Sequence, residues 1–363
     1  MEVGRSIQRV DAVDKVTGRA QYTDDLCPRN ALVAKVLHST IANGWVKSMD
    51  TAAAEALPGV VKVLTCFDVP EIQYPTPGHP WSVEPAHQDV ADRKLLNRRV
   101  RIYGDDIAAV VAVDEITARR ALERIRVEYE EYPPVHEEHP DNILKHTVSE
   151  IPLPPSDFRC AGDVLDCPAY HRFSGHYETQ QVQHCHIENP TSYAYREGGR
   201  IVVVTSTQIP HIVRRVVGQA LGIPWGRVRV VKPYIGGGFG NKQEVLYEPL
   251  NAWLCVEAGG RCVKLEASRE ETFRNTRSRH PISFDVRAAV DGDGYLMARS
   301  CVAVSDQGGY ASHGHAIAAN AVTGFRQTYL DQLAHRSEAY TVYTNRPAPG
   351  AMRGYGIPQC NFA

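Results

Sequence analysis

The sequence predicts an α+β protein of two or three domains, and three observations predict it. Its 363 residues exceed a single ordinary core, at roughly 150 residues per domain. Short apolar runs of strand length alternate with short amphipathic helices. A stretch from about Pro133 to Phe173, rich in proline, histidine and acidic residues and without clear periodicity, separates two such units.

In the first unit, ALVAKVLHS after Asn30 is expected as a strand, AAAEALPG as a short helix stopped by its glycine, and VVKVLT as a strand. IAAVVAV, from Ile107, has no polar side for water and is expected as a fully buried strand. Asp114 stands where an N-cap should for the helix EITARRALERI, and RVEYEEY returns as an alternating strand ended by Pro133 and Pro134. The second unit, from about His176, contains the strand IVVVTSTQ, a helix HIVRRVVGQALG and the strand RVRVVKPY. The helix has apolar positions at Ile212, Val213, Val216, Val217, Ala220 and Leu221. A helix through NAWLCVEAGG and the strand VKLEAS follow. The segments ISFDVRAAV and YLMARSCVAVS flank DGDG, a hairpin signal with the glycines at positive φ.

Hydrophobic residues make up 43% and charged residues 23%, a globular composition that excludes disordered and collagen-like chains. A formal charge of -2 leaves no general electrostatic case for nucleic acid or an anionic membrane. The opening MEVGRSIQRVDAVDKV lacks the apolar run of a signal peptide, so a cytoplasmic location is expected. Nine scattered cysteines without a CxxC pair argue against a disulfide framework, a zinc ribbon and a cluster-binding loop, and are expected as reduced, mostly buried thiols.

The densest chemical signal is YIGGGFGNKQ, Tyr234 to Gln243. It fails the P-loop spacing, because Asn241 precedes Lys242 and Gln243 follows, and it fails the dinucleotide spacing, because the third glycine falls on Asn241. A tight turn needs one or two glycines, and four in five positions exceed that, so close approach of a ligand to the backbone is expected. APGAMRGYGIPQ, Ala348 to Gln359, sets Arg353 and Tyr355 on a rigid, irregular loop, either as a functional pair or as a plain surface loop. Gln208 ends a strand just before Pro210 opens a helix, a switch where α/β proteins bind ligands. The pairs His184/His186 and His313/His315 could face one way on a strand, but with no third ligand at fitting spacing they read as structural histidines. Neither Gly-x-Ser-x-Gly nor His-Glu-x-x-His occurs, so hydrolase templates gain nothing.

DAVDKVTGRAQYTDD, QHCHIENP, TSTQIPH, GGGFGNK, SRHP and MRGYGIPQ occur in this order across nearly the whole chain. Together they resemble the molybdenum-binding large subunit of the xanthine dehydrogenase and aldehyde oxidase family, most closely its bacterial three-subunit branch. The resemblance implies an α/β hammerhead domain over 1–132, a connecting segment over 133–175, and the first part of a molybdopterin-binding α+β domain over 176–363.

It also implies roles. Gln208 would set its amide beside the apical oxo group of molybdenum. Phe239, with the backbone of Gly237, Gly238 and Gly240, and Arg353 would contact the metal centre, which pterin sulfurs hold. Tyr355 would stack on a flat substrate ring, Gln243 occupies the place of a substrate glutamate, and Asn320 that of a substrate arginine. Both departures favour another N-heterocycle or an aldehyde at least as well as xanthine, since Gln243 cannot exchange a proton near neutral pH. Gly354 stands where the carbon monoxide dehydrogenase branch has cysteine.

The family's subunit is roughly twice this length, and its glutamate base would lie beyond Ala363, so no catalytic base is nominated and the isolated chain is expected to be inactive. The activity implied is hydroxylation of hypoxanthine or xanthine with water as oxygen source. Iron-sulfur clusters and FAD would reside on two partner subunits of a heterotrimer. A reading from another class is a non-catalytic scaffold that kept the hammerhead fold.

Overall fold

A seven-stranded sheet organises the computed structural model, which describes residues 3–85, 88–137, 139–151, 165–166, 171–327, 329 and 331–363. Its strands run in the order Val228–Val231, Arg200–Thr205, Thr191–Glu197, Val263–Glu266, Leu32–His38, Asp106–Ala112 and Val60–Thr65. The sheet is therefore shared by both halves of the sequence: Leu32 pairs in parallel with Val263, and Ala34 with Leu265. Asp106–Ala112 is buried along its whole length, as IAAVVAV requires. One apolar core runs under the sheet and joins Leu32, Val36 and Ile107 to Val203, Val213, Leu250 and Val263.

Local chemistry sets the helices. Asp114 accepts from the Thr117 N–H at 2.7 Å and starts Glu115–Leu122, which stops short of the expected ERI. Pro210 opens Pro210–Leu221, whose Val213, Val216, Val217 and Ala220 face the core, and Gly222 closes it in the left-handed region at φ 66°. A capping box between Ser268 and Glu271 starts Arg269–Asn275.

A five-stranded sheet runs Ile143–Ile151, Ala334–Val342, Leu296–Asp306, Ile282–Val290 and His171–Thr179. Its central hairpin is the one expected around DGDG, although of its two glycines only Gly294 adopts positive φ. Helix Gly314–Gln327 packs Ala318, Ala321, Val322 and Phe325 on Phe284, Cys301 and Ala339 of this sheet.

The connecting segment expected over 133–175 contributes the strand Ile143–Ile151 and the start of the strand His171–Thr179. They are the two edges of the sheet, and His171–Thr179 is largely exposed, so neither carries the apolar alternation that betrays a half-buried strand. The middle of the connection lies outside the described residues. A third sheet pairs Gly44–Asp50 with Arg99–Val100 and Arg126–Glu131. No described helix is long and apolar enough to cross a membrane.

Candidate active site

Three loops converge at one place: the turn after Arg200–Thr205, the glycine loop, and the segment 348–357. A Cβ on Gly236 would lie 2.5 Å from Glu188 Cβ, one on Gly238 2.5 Å from Gln208 Oε1, and one on Gly240 2.5 Å from Ala351 O. Neighbouring parts of the chain therefore fill the space that side chains would need at these three positions. Gly237 and Gly240 also sit at φ 96° and 110°, which L side chains rarely adopt. What the loop offers a ligand is its N–H groups. Gly236 donates to Glu188 Oε2 at 2.8 Å and Gly240 to Gln208 Oε1 at 3.1 Å. Among the described residues, the N–H groups of Gly237, Gly238 and Phe239 have no partner.

A buried polar frame holds these loops. Lys242 is buried and donates to Glu188 Oε2 at 2.6 Å, so the lysine of GNK is a structural tie. His186 donates from Nδ1 to Glu188 O at 2.6 Å and accepts at Nε2 from Asn241 Nδ2 at 2.9 Å. Burial and the Lys242 charge push its pKa down to about 4, so it is neutral. His184 donates from Nε2 to Ala351 O at 2.7 Å, anchoring the third loop. Behind them Arg277 Nε donates to Glu244 Oε2 at 2.5 Å. The pair His184/His186 does not lie on a strand; it flanks Cys185 at φ 53°.

Gln208, Phe239 and Arg353 come together on the open side. Arg353 lies over the Phe239 ring at 5.2 Å, its N–H donates to Phe239 O at 2.9 Å, and Phe239 is 44% exposed despite its size. Gln208 spends Oε1 on Gly240, which leaves its amide donors unpaired among the described residues. The side chains of Gln208 and Arg353 and the N–H groups of Gly237, Gly238 and Phe239 supply the donors on this face.

Tyr355 occupies a second, adjoining wall. Gly354, Tyr355 and Gly356 all adopt positive φ, at 92°, 48° and 95°. The Tyr355 hydroxyl contacts His79 Nε2 at 3.0 Å and His313 Nδ1, while His79 Nδ1 meets Asp89 Oδ1 at 2.6 Å. Asn320 Nδ2 donates to Tyr355 O at 3.2 Å, and Gln243 is linked through its carbonyl, 3.3 Å from His313 Nε2. The structure thus brings Gln243, Tyr355 and Asn320 to one place beside the Gln208, Phe239 and Arg353 face. His313 and His315 begin a helix and form no strand pair.

Sequence reasoning gave no role to His79, Asp89, Glu188 or Glu244; Glu188 lies inside QHCHIENP, but its partner Lys242 is 54 positions away, and His79 meets Tyr355 across 276 positions. Strain marks the region as well. The non-glycine residues at positive φ among those described are Phe239 and Tyr355 in two of these loops, Cys185 between the two anchoring histidines and Ser312 beside Glu244, and each such conformation costs on the order of 1–3 kcal/mol and persists only where surroundings enforce it.

Among the described residues no three His, Cys, Asp or Glu side chains converge to hold an ion. A metal at the donor face must therefore bring its own ligands, and the amide, guanidinium and free N–H groups suit an oxygen-rich group of that kind. Residues 135–363 match the molybdopterin cofactor-binding domain, and residues 17–133 match the aldehyde oxidase and xanthine dehydrogenase a/b hammerhead domain. The chain belongs to the xanthine dehydrogenase and aldehyde oxidase family of molybdenum hydroxylases.

Within this family the chain is 46% identical over 364 residues to the xanthine dehydrogenase molybdenum-binding subunit of Escherichia coli O157:H7, covering 98% of itself and 48% of that subunit. It is 30% identical to the nicotinate dehydrogenase large molybdopterin subunit of Eubacterium barkeri, covering 99% of itself and 83% of that subunit. The aldehyde oxidoreductase of Desulfovibrio desulfuricans superposes with a TM-score of 0.88 at 28% identity, over 98% of this chain and 40% of that one. The chain thus spans about half the length of the xanthine dehydrogenase subunit it matches, 48%. The donors without a partner among the described residues on this face are the Gln208 amide nitrogen and the N–H groups of Gly237, Gly238 and Phe239.

Proposed function

We propose that this chain forms the first part of the molybdenum-binding subunit of a hydroxylase that oxidises N-heterocycles, with hypoxanthine and xanthine as its substrates. The observation that carries the reading is the juxtaposition of the donors around Gln208, Phe239 and Arg353 with the wall of Tyr355, Gln243 and Asn320. Bound there, the molybdenum-pterin group supplies two-electron redox chemistry that exchanges a ring C–H for C–OH, with water as the source of oxygen. The chain's own residues orient. Gln208 and the free N–H groups hold donors toward oxygen, where fixed dipoles in a dry site are most effective. Arg353 is kept in place by Phe239, and Tyr355 offers a flat ring to a flat substrate. Electrons leave through iron-sulfur clusters and FAD on partner subunits, in the cytoplasm, where scattered thiols stay reduced.

A second substrate reading is favoured by one residue. Gln243 is an amide, which hydrogen-bonds a ring but cannot exchange its proton near neutral pH, so nicotinate-like heterocycles or aldehydes suit it as well. Metal analysis of the protein purified with its natural partners, followed by steady-state assays on hypoxanthine, xanthine, nicotinate and benzaldehyde, tests both. Molybdenum and purine turnover are expected. Absence of molybdenum overturns the proposal, and a clear preference for nicotinate or benzaldehyde replaces the purine reading with the second.

A further inference from the structure

The hydroxyl of Tyr355 belongs to a hydrogen-bond chain whose direction is fixed by one backbone amide. The Gly78 N–H points at His313 Nε2 at 3.1 Å, so that nitrogen presents its lone pair and cannot also donate to Gln243 O, which lies farther off at 3.3 Å. Only glycine fits at this position, since a Cβ on it would lie 2.5 Å from Gln243 O. His313 therefore carries its proton on Nδ1, and its burial, which lowers its pKa, keeps it neutral. That Nδ1–H faces His79 Nε2 at 3.1 Å and the Tyr355 hydroxyl more closely. Two N–H groups cannot face one another, so His79 Nε2 also presents a lone pair. The proton of His79 then sits on Nδ1 and is donated to Asp89 Oδ1 at 2.6 Å.

Between these rings the Tyr355 hydroxyl has one arrangement open to it. It accepts from His313 and donates to His79 Nε2 at 3.0 Å. Burial raises its pKa, so the phenol stays protonated. With its proton committed, its oxygen retains one lone pair and nothing to donate.

We propose that Asp89, His79 and His313 are positioning residues that make Tyr355 an acceptor-only contact, and that this contact selects ring substrates bearing an N–H over aldehydes. The inference rests on the function proposed above, in which the substrate lies against Tyr355, and adds to that ring contact one with the hydroxyl oxygen. A lactam-type heterocycle supplies the missing donor. An aldehyde supplies only a carbonyl oxygen, which would meet the lone pair of the phenol and leave it unpaired, and a site built for a hydrogen bond discriminates against a ligand that cannot complete it.

Two measurements test this. Solid-state 15N NMR of the histidine-labelled holoenzyme, assigned with the His79→Ala and His313→Asn variants, should show protonated Nδ1 and unprotonated Nε2 in both His79 and His313. A proton on Nε2 of His79 overturns the inference. In the same holoenzyme, the ratio of kcat/KM for hypoxanthine to that for benzaldehyde should fall about ten-fold in His79→Ala, where the phenol proton is released to the ligand, as expected for one neutral hydrogen bond. Tyr355→Phe, which keeps the ring and deletes the hydroxyl, should lower the ratio similarly. An unchanged ratio in both variants overturns the inference, whichever substrate the wild type prefers. If the wild-type complex hydroxylates neither compound, the proposed function falls, and the histidine protonation pattern still decides the hydrogen-bond polarity.

Discussion

Glu244 is wholly buried and takes its partners from three separate loops. It accepts from Arg277 Nε at 2.5 Å, from Thr76 Oγ1 at 3.1 Å and from the hydroxyl of Ser312. Burial alone would raise its pKa, but the Arg277 charge and the hydrogen bonds from Ser312 and Arg277 outweigh it and hold the carboxyl at about 2, below the usual 4.5. A depressed carboxyl stabilises the fold above its unfolded value, and that contribution is lost as the pH falls from about 4.5 toward 2. Glu244→Gln should therefore cost about 3–5 kcal/mol near pH 7, because Arg277 is left buried and unpaired. The gap from wild type should narrow by about half at pH 3 in urea titrations, and an equal gap at both pH values would refute this account. At this scale the sequence singled out Gln208, Phe239 and Arg353, because each lies in a short motif. It did not reveal Glu244 or Glu188, whose roles are set by partners such as Thr76, 168 positions from Glu244, and Lys242, 54 positions from Glu188.

The strand Leu32–His38 and the helix Arg269–Asn275 are joined through His38, which lies 3.1 Å from Asp106 and 3.5 Å from Glu271. Burial pushes the imidazole pKa down, yet the two carboxylates prevail and raise it to about 9 from 6.5. A raised imidazole stabilises fully below its unfolded value, and its contribution is lost as the pH climbs from about 6.5 through 9. The unfolding midpoint of the wild type should fall over that window in denaturant titrations, and His38→Asn should flatten this part of the profile. An unaltered slope in the variant would count against the linkage. Elements were legible where one face is buried or a cap residue is explicit, as in Pro210–Leu221 and Glu115–Leu122. The edge strands Ile143–Ile151 and His171–Thr179 escaped, because a strand solvated along most of its length has no apolar period to read.

For the whole molecule, the sequence suggests two units in series, whereas one sheet and one core take residues from both. Removing either part would expose a long unpaired edge at the Leu32–His38 and Val263–Glu266 junction. Scanning calorimetry of the chain should accordingly show one cooperative transition that coincides with loss of near-ultraviolet circular dichroism. Two resolved transitions, one for each sequence unit, would mean that the shared sheet does not couple them.

The sequence by itself determined the alternation of elements, the buried central strand and the family, because apolar period, caps and ordered motifs are local properties of the chain. It also singled out the loops that meet at the site. The tertiary structure alone decided what crowds the glycines of the loop and which rings surround the Tyr355 hydroxyl. Both depend on atoms that approach from distant segments, Gln208 and Ala351 against the glycines, Gly78 and His313 against the phenol. A linear pattern carries no record of such approaches until the chain has folded around them.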